Sequence, residues 1–182
     1  MTKPQPRIRS FVAVEFPKSF RDHFVACQQS LSSETIDSLR FTKRHQFHLT
    51  LMFLGDCTTV ELEKIDATLR AIRHPPLSME CIGYDFFNSS TIYARISGAD
   101  SLARMVNEKL APLHIAQGHL NFIGHATLAR MKKKKSSASI RRLLKNLPSL
   151  SEISTAEKFC LYQSKISHLG ADYSVIETYS LG

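Results

Sequence analysis

The stretch Phe47-His48-Leu49-Thr50-Leu51-Met52-Phe53-Leu54-Gly55 decides the reading of this chain. It is an apolar, β-type run with one histidine in it, which predicts a strand packed on a core. A second stretch, Ile123-Gly124-His125-Ala126-Thr127-Leu128-Ala129-Arg130, repeats that feature. Of the eight histidines, only His48 and His125 are followed at the second position by Ser or Thr. Side chains two apart on a strand share a face, so His48 projects with Thr50 and His125 with Thr127. Leu49, Leu51, Ala126 and Leu128 then point into the core. The reading is that the two strands face each other and their histidines share one substrate.

Working outward, Ile8 to Phe16 is a short β-rich run stopped by Pro17. Phe20, Phe24, Cys27 and Leu31 form the apolar face of a helix over about 19–31. Thr58 followed by Glu61 has the form of a capping box and starts a helix over 58–73. Its buried stripe is read as Val60, Ile65, Leu69 and Ile72, and His74-Pro75-Pro76 stops it. Leu77 to Phe87 and Thr91 to Ile96 form a hairpin around Asn88-Ser89-Ser90. A helix over 100–113, the second histidine strand over 122–131, a helix over 137–147 and a closing hairpin of 158–166 with 173–181 complete the order.

Strand, helix, His-x-Thr strand, helix, strand thus occurs twice. Cys81 and Cys160 hold matching places, each early in the strand after the second helix. The expectation is an α+β, bilobal, pseudo-twofold domain spanning 1–182, with halves of about 8–90 and 91–182. Two antiparallel sheets would flank a central cleft, with helices on the outer faces.

Composition sets the limits. In 182 residues the apolar fraction is 43%, enough for a globular core, and the net charge is +8. That charge favours an acidic partner such as nucleic acid. No run approaches the roughly 20 apolar residues of a membrane span, and no signal peptide is read at the start. Cys27, Cys57, Cys81 and Cys160 form no CxxC pair and read as buried thiols of a cytoplasmic, monomeric protein.

Two imidazoles and two hydroxyls in one cleft suit a tetrahedral anion. One imidazole can take a proton while the other gives one, which opens a phosphodiester without a metal or cofactor. Zinc is not expected, because His45 and His48 point to opposite faces of a strand and no Cys or carboxylate completes a site. The absence of a phosphate-binding glycine loop leaves an ATP-driven ligase unsupported.

The chain resembles the 2H phosphoesterase superfamily, and within it the RNA 2′,3′-cyclic phosphodiesterases also called 2′-5′ RNA ligases. The resemblance rests on Arg9-Ser10-Phe11-Val12-Ala13-Val14, on His48-Leu49-Thr50-Leu51 with Phe53-Leu54-Gly55, and on His125-Ala126-Thr127-Leu128 with Arg130. The closing runs Leu161-Tyr162-Gln163-Ser164 and Gly170-Ala171-Asp172-Tyr173 carry it further. It implies hydrolysis of 2′,3′-cyclic phosphate RNA ends, tRNA fragments among them, to 2′-phosphates. It also implies His48 as general acid, His125 as general base, and Thr50, Thr127 and Arg130 as phosphate ligands. Phe53 would stack on the terminal base. The reverse reaction, joining ends through a 2′-5′ bond, would exchange the histidines' roles. Two departures stand out: Met52 where the first motif often has Lys, and Gly124 where the second usually has Pro.

Strict alternation puts Phe53 and Arg130 on the face opposite the histidines. Both strands must twist or bulge for these side chains to reach the substrate. From Lys109 to Ser151 there is no Asp or Glu, and Lys132, Lys133, Lys134 and Lys135 begin just past the second histidine strand. They are expected to track the RNA backbone. The other readings are an RNA-end-binding module without turnover and a phosphodiesterase acting on 2′-5′ oligoadenylate or small cyclic nucleotides.

Overall fold

The computed structural model describes residues 6–34, 39–115, 121–132, 136–167 and 170–182. Among the described residues nine strands run in chain order: β1 (Ile8–Glu15), β2 (Leu39–Phe41), β3 (His48–Cys57), β4 (Leu77–Phe87), β5 (Thr91–Ser97), β6 (His125–Met131), β7 (Ile153–Ala156), β8 (Lys158–Ser167) and β9 (Gly170–Ser180). The α-helices are α1 (Lys18–Glu34), α2 (Thr59–Arg70), α3 (Asp100–Leu110) and α4 (Ser137–Lys145). A 3-10 turn at Arg44–Gln46 leads into β3.

Two antiparallel sheets result, ordered β3-β1-β8-β9 and β2-β6-β5-β4-β7. Read outward from each histidine strand, the orders β3-β1-β8 and β6-β5-β4 correspond. The strand that follows the second helix of each half lies in the other half's sheet. The lobes therefore do not coincide with the halves 8–90 and 91–182, because each sheet draws strands from both. The hairpin at residues 88–90 explains this. Asn88 and Ser89 adopt φ of 48° and 52°, the left-handed geometry of a tight turn, so β4 must pair with β5 and stay in its sheet.

The core lies between the sheets and their helices. In α1, Phe20, Phe24, Cys27 and Leu31 are buried as the helical spacing requires. Phe24 meets Phe47 at 5.2 Å, and so anchors the residue before His48. Gln28 donates from its side-chain amide to the carbonyls of Thr42 and Leu128, each at 2.8 Å, which ties α1 to the second sheet. In α2 the capping box forms: Thr58 Oγ1 accepts from the Glu61 amide, and the Thr58 amide donates to Glu61 Oε2 at 2.6 Å. The buried stripe of α2 is Leu62, Ile65 and Leu69, with Ile72 buried just past the helix end, whereas Val60 is 48% exposed. The 62–65–69 spacing keeps one face inward, and residue 60 falls off it. β7 lay outside the sequence reading; it is a four-residue edge strand beside β4.

Candidate active site

β3 and β6 lie beside one cavity of about 580 Å³ between the sheets. His48, Thr50, His125 and Thr127 line it together, as the two motifs require. Along both strands the burial runs in the same order. The histidine and threonine are half-buried with a buried residue between them, two buried residues follow, and then comes one exposed side chain.

That order reflects a bulge at the same place in each strand. In β3, Thr50 pairs with Ala13 and Met52 with Val12, so Leu51 is the extra residue. In β6, Thr127 pairs with Tyr93 and Ala129 with Ile92, so Leu128 is the extra residue. A bulge adds one residue on one strand and reverses the alternation beyond it. Phe53 and Arg130 are thereby brought to the cavity face, and both line the cavity. Phe53 is 53% exposed, its ring 6.2 Å from that of Phe11. Arg130 donates through Nη1 to Thr91 Oγ1 at 3.1 Å.

The two imidazoles are held alike. His48 Nδ1 lies 2.7 Å from the Gln46 carbonyl, and His125 Nδ1 lies 2.8 Å from the Ile123 carbonyl. A carbonyl only accepts, so each Nδ1 carries the hydrogen and Nε2 is the nitrogen left for chemistry. Aromatic rings enclose both. Phe11 and Tyr173 sit 4.9 and 5.0 Å from His48, and Phe87 and Tyr93 sit 5.1 and 5.4 Å from His125. Burial pushes His48 down to about 4, with the charge of His125 acting in the same direction and the Gln46 carbonyl opposing it. Burial also lowers His125, and the Arg130 guanidinium adds to that while the Ile123 carbonyl opposes it. Both rings are therefore neutral near pH 7 before substrate binds.

Tyr162 and Tyr173, from the two closing runs, differ in their placement. Tyr173 lines the cavity. Tyr162 is buried, stacks on Phe11 at 5.0 Å and donates its hydroxyl to Glu15 at 2.9 Å. Arg9, from the opening run of the resemblance, also lines the cavity, as do Arg40, Lys43 and Gln46, which belong to neither histidine motif. Lys132 is exposed and is not among the lining residues; Lys133, Lys134 and Lys135 lie outside the described residues. Among the described residues no three His, Cys, Asp or Glu side chains converge as metal ligands. No helix among them is long and apolar enough to cross a membrane.

Two antiparallel sheets around a cleft, with a His-x-Thr strand from each, define the 2H phosphoesterase fold. A family model described as LigT-like phosphoesterase matches residues 14–97, a little under half of the chain. Among curated relatives, a protein of Archaeoglobus fulgidus named RNA 2′,3′-cyclic phosphodiesterase is 25% identical over 134 residues, 70% of this chain and 74% of that one. A crystal structure of a Thermus thermophilus protein superposes with a TM-score of 0.81 at 24% identity, covering 95% of this chain and 97% of that one. Escherichia coli LigT complexed with 3′-AMP gives a TM-score of 0.73 at 19% identity, covering 97% and 99%.

Proposed function

We propose that this protein hydrolyses 2′,3′-cyclic phosphate ends of RNA to 2′-phosphates, using its two histidines as an acid–base pair without a metal. The observation that carries the proposal is the matched restraint of the imidazoles. Each Nδ1 is committed to a backbone carbonyl two residues upstream, and both rings line one cavity with a threonine beside each. The names of the curated relatives supply the substrate class.

In the forward reaction His125 Nε2 takes a proton from water as its oxygen attacks phosphorus. The P–O3′ bond breaks, and the departing O3′ takes the proton carried by His48 Nε2. One water is consumed, and one proton is carried from His48 to His125 through the reaction. Thr50 and Thr127 donate their hydroxyls to the non-bridging oxygens, and Arg130 balances their charge. His48 is neutral before substrate binds, so it acquires its proton together with the anionic substrate, whose charge favours the imidazolium. Phe53, exposed at the cavity edge, presents its ring to the terminal base. With an RNA 5′-hydroxyl in place of water, the same groups join ends through a 2′-5′ bond in the same roles. His125 takes the 5′-hydroxyl proton and His48 protonates the departing O3′. The roles exchange only when the 2′-5′ bond is cleaved back to the cyclic phosphate.

An RNA oligonucleotide ending in a 2′,3′-cyclic phosphate, incubated with the protein in EDTA, tests this. A 2′-phosphate product is expected. A 3′-phosphate product would reverse the leaving-group assignment, and an unchanged end that remains bound would make the protein an end-binding module.

A further inference from the structure

The cavity carries more positive charge than one cyclic phosphodiester calls for. Arg9, Arg40, Lys43 and Arg130 line it, and no carboxylate is among its described lining residues. The cyclic diester bears a single negative charge, and Arg130 with the two threonines already serves it. Arg40 and Lys43 come from a separate stretch, β2 and the turn that follows it.

Arg40 lies directly opposite Arg130 in the β2–β6 pair, so the two side chains leave the same face of the sheet. Like charges placed opposite each other weaken a strand pair, and an anion over both relieves the repulsion. Arg40 also reaches across the cleft. A Cβ built on Gly170, at the start of β9, would collide with Arg40 Nη2, so the guanidinium rests on that backbone. Gln46 donates its side-chain amide to the Ala171 carbonyl at 2.6 Å. These two contacts dock the segment from Arg40 to Gln46 against the opposite sheet and fix where the Arg40 head group sits on the cavity wall.

We infer that Arg40 and Lys43 form a second phosphate subsite, which takes a phosphate on the 5′ oxygen of the nucleotide whose cyclic phosphate lies between the histidines. The inference rests on the cyclic phosphodiesterase reading above. A planar guanidinium matches two phosphate oxygens at once, and Lys43 adds a point charge beside it. In a polynucleotide the 5′ phosphate is the diester linking the last nucleotide to the one before it. In a free nucleotide it is a 5′-phosphate. Both present the same phosphoryl oxygens to this wall.

Two arms separate the subsite from the catalytic reading. In the first, the full chain is titrated calorimetrically with adenosine 3′-monophosphate and with adenosine 3′,5′-bisphosphate, neither of which can be turned over. The bisphosphate is expected to bind about ten- to a hundredfold more tightly, as hydrogen bonds to charged groups allow. Arg40→Gln or Lys43→Gln, the latter at an exposed turn position, should remove most of that advantage. Equal affinities in the wild type, or an advantage that survives both substitutions, overturn the subsite whether or not the protein is catalytic. The second arm compares kcat/KM for adenosine 2′,3′-cyclic phosphate with a 5′-hydroxyl, with a 5′-phosphate, and as the 3′ end of a dinucleotide. A preference for both phosphorylated forms that collapses in the variants supports the subsite for the shared chemistry. A preference confined to the dinucleotide, and lost in the variants, assigns it to the polymer. No turnover of any of the three defeats the catalytic reading and leaves the titration to decide the subsite.

Discussion

Replacing His48 with Gln should flatten the acid side of the protein's stability curve, and the structure gives the size of the change. In the folded state burial holds this imidazole down at about 4, against roughly 6.5 for an exposed histidine in the unfolded chain. Between those values the unfolded chain binds the extra proton, so stability rises with pH there and is lost as pH falls. The His48 contribution is complete above the unfolded value. By linkage it loses about 2 kcal/mol on going from pH 7 to pH 5, and about 3 kcal/mol by pH 4. Urea unfolding of wild type and His48→Gln at half-unit steps from pH 4 to pH 8 isolates it, because all other titrations are common to both proteins. The two curves should converge on acidification by about 3 kcal/mol relative to their separation at pH 7. Parallel curves would show that His48 titrates normally in the folded chain, and the reasoning from its aromatic surroundings would be refuted.

Three further outcomes follow from the same geometry. Phe53→Ala should raise KM for an RNA end about 5- to 100-fold, the scale of lost base stacking, while leaving the melting temperature little changed, because the ring is already exposed. Loss of folding in that variant would mean the ring is structural. Thr58→Ala removes one side of the α2 capping box and should cost about 1 kcal/mol in chemical denaturation with kcat unaltered. Bound substrate anion raises both imidazole pKa values, so the alkaline limb of the kcat profile should lie at higher pH than that of kcat/KM. Coincident limbs would mean the phosphate does not sit against the histidines.

Much of this fold was legible because its signals are local. The helical spacing of Phe20, Phe24, Cys27 and Leu31, the Thr58–Glu61 box and the β4–β5 turn each involve neighbours in sequence. Partner choice between distant strands is not local. β8 joining β1, and β2 joining β6, divide the sheets in a way that no periodicity within one strand records. The site shows the same division. The His-x-Thr spacing brought four side chains to one cavity, but alternation alone turned Phe53 and Arg130 away from it. The signal that could have corrected this is the apolar doublet after each threonine, Leu51-Met52 and Leu128-Ala129, where two successive buried residues mark the bulge. Arg40 and Lys43 left no comparable trace, since only the pairing of β2 with β6 and the Gly170 contact bring them to the cavity. Val60 was misplaced for a simpler reason: Leu62 continues the α2 stripe at the same helical spacing.

The central claim is that His48 and His125 act as one acid–base unit. Its most direct test is the rate of cyclic phosphate opening by His48→Ala, His125→Ala and the double variant. Each single variant should lose about 10²- to 10⁴-fold in kcat, and the double variant should lose little more than either one, as residues acting in a single step do. Losses that multiply in the double variant, or one histidine that can be removed without effect, would contradict the account.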